Sequence, residues 1–352
     1  MEKKKVVLGM SGGVDSSVAA YLLKEEGYEV LGVTMEMWNP DGGESESVRD
    51  AKKIAEELGI QHYVMNFQKE FKEAVIDNFI EEYRCGRTPN PCLVCNRKVK
   101  WEALMERGKE LGAEYIATGH YAKILKLSNG RYAVANSETA VKDQTYVLYG
   151  LTQEQLAHTL MPVGNYEKEK IRKIAADLGL SVADKPDSQD ICFIPDNDYA
   201  GFISRNSNVV FTPGNFVSTQ GEILGQHKGI VHYTVGQRKG LNLSMGYPVF
   251  VTEIRPETNE VVIGKAEEVF SSVVYAENVN FMGYETIERG KKLIGKIRYA
   301  HKGAACSVEV IGANKICCHF EEAQRAVTPG QAIVLHDENF VALGGTIVPM
   351  VK

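Results

Sequence analysis

Through its first third the chain alternates short apolar runs with segments of helical period. Residues 5–10 predict a strand, residues 16–27 a helix and residues 28–37 a second strand. Residues 41–47 are polar and contain glycine, which reads as a loop. Residues 47–58 place Val48, Ala51, Ile54, Ala55 and Leu58 on one stripe, as an amphipathic helix does. A third strand is expected over 61–66, then a helix over 71–84 with Val75, Ile76, Phe79 and Ile80 inward. Residues 85–95, with their Pro and Gly, read as a loop, 99–111 as a helix and 115–119 as a buried strand. Strands alternating with helices predict an α/β fold with a parallel sheet covered on both faces. Such sheets bind ligands at the carboxyl ends of their strands. That rule brings residues 9–16, Met35, Gly119 and His120 to one edge.

A hairpin is expected over 121–135 around Asn129-Gly130. Helices over 153–160 and 168–178 follow, then a polar loop, 184–190, ahead of Ile191-Cys192-Phe193-Ile194. From about Asn197 helical periodicity mostly gives way to short alternating runs, at 248–254, 261–264, 307–311 and 316–320. Turn signals at Gln220-Gly221, 256–259 and 312–314 separate them, which predicts small sheets or barrels. A fresh set of strands starts after the turn at 265–268, and residues 284–292 are a charged loop. Three units are therefore expected: α/β over 1–196, a small β-rich unit over 197–270 and a β-barrel over 271–352.

The first strand-to-helix turn carries the most specific chemistry. It reads Gly9, Met10, Ser11, Gly12, Gly13, Val14, Asp15, Ser16. Its glycines allow positive φ and close backbone approach. The helix start presents free N–H groups and the positive dipole end to an anion, and Ser11, Ser16 and Ser17 add hydroxyls. The turn lacks the lysine of the ATPase loop and the spacing of the dinucleotide fingerprint. Its Ser-Gly-Gly-Val-Asp-Ser resembles the PP-loop of ATP pyrophosphatases, a family that splits ATP between the α and β phosphates and adenylates its substrate. The bland alternative is an ordinary Gly-Ser turn, against which stand six matching residues in a strand–turn–helix setting.

Bulk composition narrows the classes. At 352 residues, 44% hydrophobic and 24% charged, the chain supports a sizeable core and is not of a disordered type. No apolar run approaches the ~18 residues of a membrane span. Residues 1–5 pass straight into a strand without the apolar stretch of a secretory leader. Seven cysteines are odd and sparse, so a reducing cytoplasmic compartment is expected rather than a disulfide framework. Net charge is −6, yet residues 84–109 hold seven Lys or Arg against two Glu. Such an island suits docking of nucleic acid, or equally a solvated helix face.

Cys92-Leu93-Val94-Cys95 precedes the helix expected at 99. With Cys95 near a helix start and followed by Arg97, Lys98 and Lys100, its thiol pKa is expected to be lowered. Cys192 lies in a second loop. Cys306, Cys317 and Cys318 fall in predicted strands and read as packing residues, Cys306 half-buried; Cys85 follows a helix end and reads as structural. A lone C-x-x-C fits half a zinc site, a redox pair or two ligands of an iron–sulfur cluster. Zinc lacks a second spaced pair, because Cys317-Cys318-His319 is contiguous. The other two readings need Cys192 to fold back near Cys95.

Over its whole length the chain resembles the tRNA-specific 2-thiouridylases. The resemblance rests on the first turn, on Gly86-Arg87-Thr88-Pro89-Asn90-Pro91 with Cys95-Asn96, and on Ala117-Thr118-Gly119-His120-Tyr121. It rests further on Lys142-Asp143-Gln144, on Asp187-Ser188 with Ile191-Cys192-Phe193, and on His232-Tyr233-Thr234-Val235-Gly236-Gln237-Arg238-Lys239-Gly240. It implies sulfuration of the wobble uridine of certain tRNAs, by adenylation of the C2 oxygen and then sulfur transfer. Gly9 to Ser16, Met35 and Gly119 would bind ATP, with Mg²⁺ on its phosphates. Asn90, Pro91, Cys92 and His120 would meet the target base, and Lys142, Asp143, Gln144, Arg298, Tyr299 and Gln331 would touch tRNA. Cys192 would carry sulfur as a persulfide, supplied by a cysteine desulfurase or a sulfur-relay protein, and Cys95 would be the partner nucleophile. The base would leave the anticodon stack, and the enzyme would act as a monomer. Some members have aspartate where Cys92 stands. With cysteine there, Cys92, Cys95 and Cys192 could instead hold a [4Fe–4S] cluster with one open iron. Two other classes compete: a ligase-type ATP pyrophosphatase that admits ammonia or an amine, which needs neither cysteine, and a noncatalytic tRNA-binding module, which would release no AMP.

Overall fold

The structure is a computed structural model that describes residues 3–40, 42–139, 141–186 and 191–349. The α/β unit opens with β1 (Lys5–Gly9), α1 (Val14–Glu25), β2 (Glu29–Glu36), α2 (Glu46–Leu58) and β3 (Gln61–Asn66). One helical rod then runs through α3 (Gln68–Phe71), a π segment (Lys72–Ile76) and α4 (Asp77–Arg84). A second rod runs through α5 (Pro91–Cys95), a π segment (Asn96–Ala103) and α6 (Leu104–Glu110), leading to β4 (Tyr115–Ala117). The expected loop over 85–95 therefore ends early. Asn90 caps the second rod, its Oδ1 accepting from Cys92 N at 3.1 Å, and Pro91 takes the first helical position, where a missing N–H costs nothing.

The hairpin appears as β5 (Lys123–Lys126) and β6 (Tyr132–Ala135) around Gly130 at φ +84°. After α7 (Thr145–Leu148), the expected helix over 153–160 is one short turn, α8 (Gln153–Ala157), followed by a small strand, β7 (Thr159–Leu160). A capping box between Thr152 and Gln155 starts that turn. The parallel sheet has the order β3-β2-β1-β4-β7. Val6, Val7 and Leu8 of β1 are fully buried because both faces are covered. Val6 and Leu8 face a core shared with α1, α2 and α9 (Lys168–Asp177), while Val7 faces Phe71, Phe79 and Val99.

The chain beyond Asn197 is not free of helix. α10 (Tyr199–Asn206) packs Phe202 and Ile203 into the core beside Phe71, Phe79 and Phe193. Then come β8 (Gly214–Ser218), β9 (Ile223–His227), β10 (Phe250–Arg255) and β11 (Glu260–Gly264), a sheet of order β10-β11-β8-β9. The last unit holds β12 (Phe270–Phe281), β13 (Lys291–Lys296), β14 (Ala304–Gly312), β15 (Lys315–Arg325), β16 (Ala332–Asp337) and β17 (Phe340–Val348). Their order, β12-β15-β14-β13-β16-β17, closes through a β12–β17 pairing into an antiparallel barrel. The β5–β6 hairpin extends the barrel sheet at β17, with Ala135 opposite Phe340. Arg131 holds it there by donating to Met282 O at 3.0 Å and Phe281 O at 2.6 Å.

Candidate active site

The turn after β1 is built to receive an anion. Gly12 has φ +68°, and a Cβ there would lie 2.7 Å from Ser47 O, so only glycine fits. Gly13 is the α1 cap and has no side chain to occupy the first N–H groups of the helix. Ser16 Oγ accepts from Ser11 N at 3.3 Å and donates to Gly13 O at 3.1 Å, which ties the turn to itself. A Cβ on Gly119 would lie 2.8 Å from both Asp15 C and Ser16 N, so the end of β4 abuts the turn backbone. Met35 Cε stands 3.4 Å from the corresponding point on Gly9. The expected single edge of residues 9–16, Met35, Gly119 and His120 is thus assembled.

One partner was not anticipated. Lys168, only 7% exposed at the start of α9, donates to Asp15 Oδ1 at 2.7 Å and Oδ2 at 2.8 Å, and Tyr121 OH donates to Oδ1 at 2.6 Å. The cation offsets the one carboxylate in the turn and leaves the field of the helix start available to an anion. Its sequence signal was weak, since a lysine opening a polar helix is commonplace.

Cys95 corrects an expectation. It is 6% exposed, and burial pushes its thiol pKa up to about 12, with Lys100 opposing. Its Sγ points to Met37 Sδ at 3.8 Å. The reason is the early helix start: Cys95 closes the first turn of the rod, inside the core with Val99 and Phe193, and the rod's N-terminal end lies at Asn90 instead. Cys92 and Cys192 are exposed residues. Surrounding protein nevertheless raises the Cys192 thiol pKa, Cys92 adding to the effect and Lys100 opposing it. Cys92, Cys95, Cys192 and Lys100 lie within electrostatic reach of one another. Ile191 and Phe193, which flank Cys192, pack in the same core as Cys95. Cys192 thus follows and precedes residues of the core that holds Cys95, and all seven cysteines are free. Among the described residues no group of three His, Cys, Asp or Glu is placed to hold a metal ion.

His120 follows the glycine that abuts the turn. Its Nδ1 shares a hydrogen bond with Thr118 Oγ1 at 2.8 Å, and its ring lies 5.5 Å from that of the fully buried Trp101. Burial holds its pKa well below the ordinary histidine value, and Lys100 lowers it further. Tyr299 is 45% exposed, lies 6.2 Å from the Tyr146 ring and feels Asp143, Lys142 and Cys92. Arg298 is within reach of Tyr146. Several expected contact residues hold loops in place. Asp143 accepts from Ser137 N at 3.0 Å and Thr145 Oγ1 at 2.5 Å, Gln144 Oε1 accepts from Tyr121 N at 2.8 Å, and Gln331 Nε2 donates to Thr88 O at 2.8 Å. Pro91 is buried under its own helix turn. Asp187 and Ser188 lie outside the described residues. Cys306, Cys317 and Cys318 are buried, Cys306 at 1% rather than half-exposed.

Comparison with known proteins follows this division. Residues 4–196 match a family model described as tRNA methyl transferase HUP domain, residues 201–265 one described as tRNA methyl transferase PRC-barrel domain, and residues 271–348 an aminomethyltransferase beta-barrel domain. A tRNA-specific 2-thiouridylase MnmA of Lachnoclostridium phytofermentans is 57% identical over 98% of this chain and 99% of that protein. The protein of the same name from Clostridioides difficile is 50% identical over 98% of both. Among solved structures, a 4-thiouridine synthetase–RNA complex with bound ATP aligns with 58% of this chain and 50% of that one, at 19% identity and TM-score 0.35. No helix among the described residues is long and apolar enough to cross a membrane. With identity of this order from end to end, the chain belongs to the tRNA-specific 2-thiouridylase family.

Proposed function

We propose that the protein converts the wobble uridine of tRNA to 2-thiouridine, using ATP to activate the base and a persulfide on Cys192 to deliver sulfur. What supports this reading is an anion-suited turn after β1, together with Cys95 against Met37 just beyond β2 and Cys192 between two residues of the same core.

The turn suits the phosphates of ATP, held by N–H groups of residues 11–16 and the Ser11 and Ser16 hydroxyls. Mg²⁺ on those phosphates would neutralise charge on the departing pyrophosphate. The uracil O2 attacks the α phosphorus and the bond to the β-phosphate oxygen breaks. Pyrophosphate leaves, and the N3 proton passes to solvent. A poor leaving group has become a good one. The terminal sulfur of a Cys192 persulfide then attacks C2, and AMP departs. Cys95 as thiolate attacks Cys192 Sγ, the bond to the transferred sulfur breaks, and 2-thiouridine regains its N3 proton. The product is a Cys95–Cys192 disulfide, which a dithiol reductant returns to the free thiols. A thiol held near pKa 12 in a core is unreactive, so this exchange requires Cys95 to be uncovered once tRNA is bound. Exposed Cys192 is the point at which a cysteine desulfurase or sulfur-relay protein would load sulfur. The family-model descriptions name methyl transfer, whereas paired cysteines and a pyrophosphate turn favour sulfur transfer.

Incubation with unmodified tRNA, ATP and Mg²⁺ is expected to release pyrophosphate, only when tRNA is present, and AMP in equal amount once a persulfide source is supplied. With a persulfide source, nucleoside mass spectrometry is expected to show 2-thiouridine. Release of ADP and phosphate, or turnover indifferent to tRNA, would exclude the reading.

A further inference from the structure

Thr88 is a junction of three units. Its N–H donates to Pro329 O at 2.8 Å, and its carbonyl accepts from Gln331 Nε2 at 2.8 Å, both in the barrel unit. Its Oγ1 donates to Thr234 Oγ1 at 3.1 Å, in the central unit. The approach is tight: a Cβ on Gly330, which has φ +91°, would lie 2.9 Å from Thr88 N, and one on Gly86 would lie 2.9 Å from Ile254 Cγ2. All three hydrogen-bonding groups of one residue are thus spent on two other units. Two residues later Asn90 caps the helix turn that carries Cys92 and ends at Cys95. That turn opens the second rod, so its first residues are held at the Thr88 end by this junction. On the far side of Cys95 the rod continues into the core through Val99 and Trp101. The Asn96 side chain, 2% exposed, donates to Val147 O at 3.1 Å while its Oδ1 lacks a partner.

Resting on the tRNA-thiolation reading, we propose that Thr88 is a positioning residue that couples the two β-rich units to the cysteine turn, so that tRNA seated on those units uncovers Cys95. The Thr88–Thr234 bond is the link to the central unit, and the two contacts to residues 329 and 331 are the link to the barrel. A shift of either β-rich unit against the other pulls on Thr88 and is passed to the turn through two residues of chain. Cys95 leaves its contact with Met37 by that motion.

The test is alkylation of Cys95 by iodoacetamide in the full-length chain, followed by peptide mass spectrometry. Substrate tRNA is expected to raise the Cys95 rate about tenfold. Thr88→Val and Thr234→Val each remove one end of the same hydrogen bond. Each is expected to cut that rise about fivefold, the equilibrium worth of one such bond. The double variant is expected to be no worse than either single one. Thr88→Ser, which keeps the hydroxyl, is expected to behave as the unchanged chain. A Cys95 rate indifferent to tRNA overturns the proposal, as does an equal rise in the chain and in Thr88→Val. If either occurs while the intact chain still releases pyrophosphate with ATP and tRNA, only the coupling is wrong. If the intact chain releases no pyrophosphate with ATP and tRNA, the activity reading fails and the coupling falls with it.

Discussion

Cys192→Ser is expected to lose 2-thiouridine formation by about 10⁴-fold or more, the scale on which removing a nucleophile acts. Cys192 is exposed, and its neighbours Ile191 and Phe193 are fixed in the core, so the substitution removes one sulfur without moving the chain around it. In the proposed mechanism, activation of the base depends on the turn after β1 and not on this thiol. The variant should therefore still release about one equivalent of pyrophosphate per enzyme in the first turnover with ATP and tRNA. Loss of both steps together would mean that Cys192 acts before sulfur transfer. Cys92→Ser, by contrast, is expected to retain thiolation within about threefold, because Cys92 is an exposed residue with no part in the relay. Loss of thiolation in that variant, with stoichiometric iron and sulfide in anaerobic enzyme, would instead indicate a cluster.

Gly119→Ala is the second large effect. Gly119 does not adopt positive φ, so an alanine meets no backbone penalty there. The difficulty is space alone: the new methyl would sit 2.8 Å from Asp15 C and Ser16 N and 3.1 Å from Asp15 O, all backbone atoms. Backbone at the first turn of α1 cannot rotate aside as a side-chain tip can. Either β4 or the anion-binding turn must shift by several tenths of an ångström, and overpacking of this kind costs about 1–3 kcal/mol. A displacement approaching 1 Å at a reacting centre costs about 10²-fold in rate. Pyrophosphate release is therefore expected to fall about 10²-fold, with a raised KM for ATP. Gly108→Ala is the control, because its nearest neighbours, Val7 and Ile116 side chains, lie at 3.5–3.8 Å. It should leave the rate unchanged. Equal effects of the two alanines would show that the abutment of β4 on the turn is unimportant.

What could be read in advance follows physical range. The parallel sheet was legible because β1, β2 and β4 are apolar runs whose burial on both faces leaves no polar alternation, and the anion turn because its glycines are dictated locally. Cys95 was misjudged for a local reason that was available: Asn90-Pro91 is a cap followed by a first-turn proline, and it moves the helix start ahead of the cysteine. Strand β7 was hidden because its two residues pair only with Ile116 and Ala117 and follow a capped helix turn without a break. The attachment of the β5–β6 hairpin to the barrel, the Lys168–Asp15 pair and the Thr88 junction all join residues more than a hundred positions apart. Nothing in local propensity or period encodes such contacts. The packing of Ile191 and Phe193 in the core that holds Cys95 belongs with them.

The most direct measurement is a single turnover in which Cys192 is first loaded with ³⁴S persulfide and freed of donor. ATP, Mg²⁺ and unmodified tRNA are then added. One equivalent of ³⁴S-labelled 2-thiouridine and one of AMP per loaded enzyme are expected, with Cys95 and Cys192 recovered as a disulfide. Label that remains on Cys192 while AMP is released, or thiouridine that carries unlabelled sulfur, would contradict delivery of sulfur through Cys192.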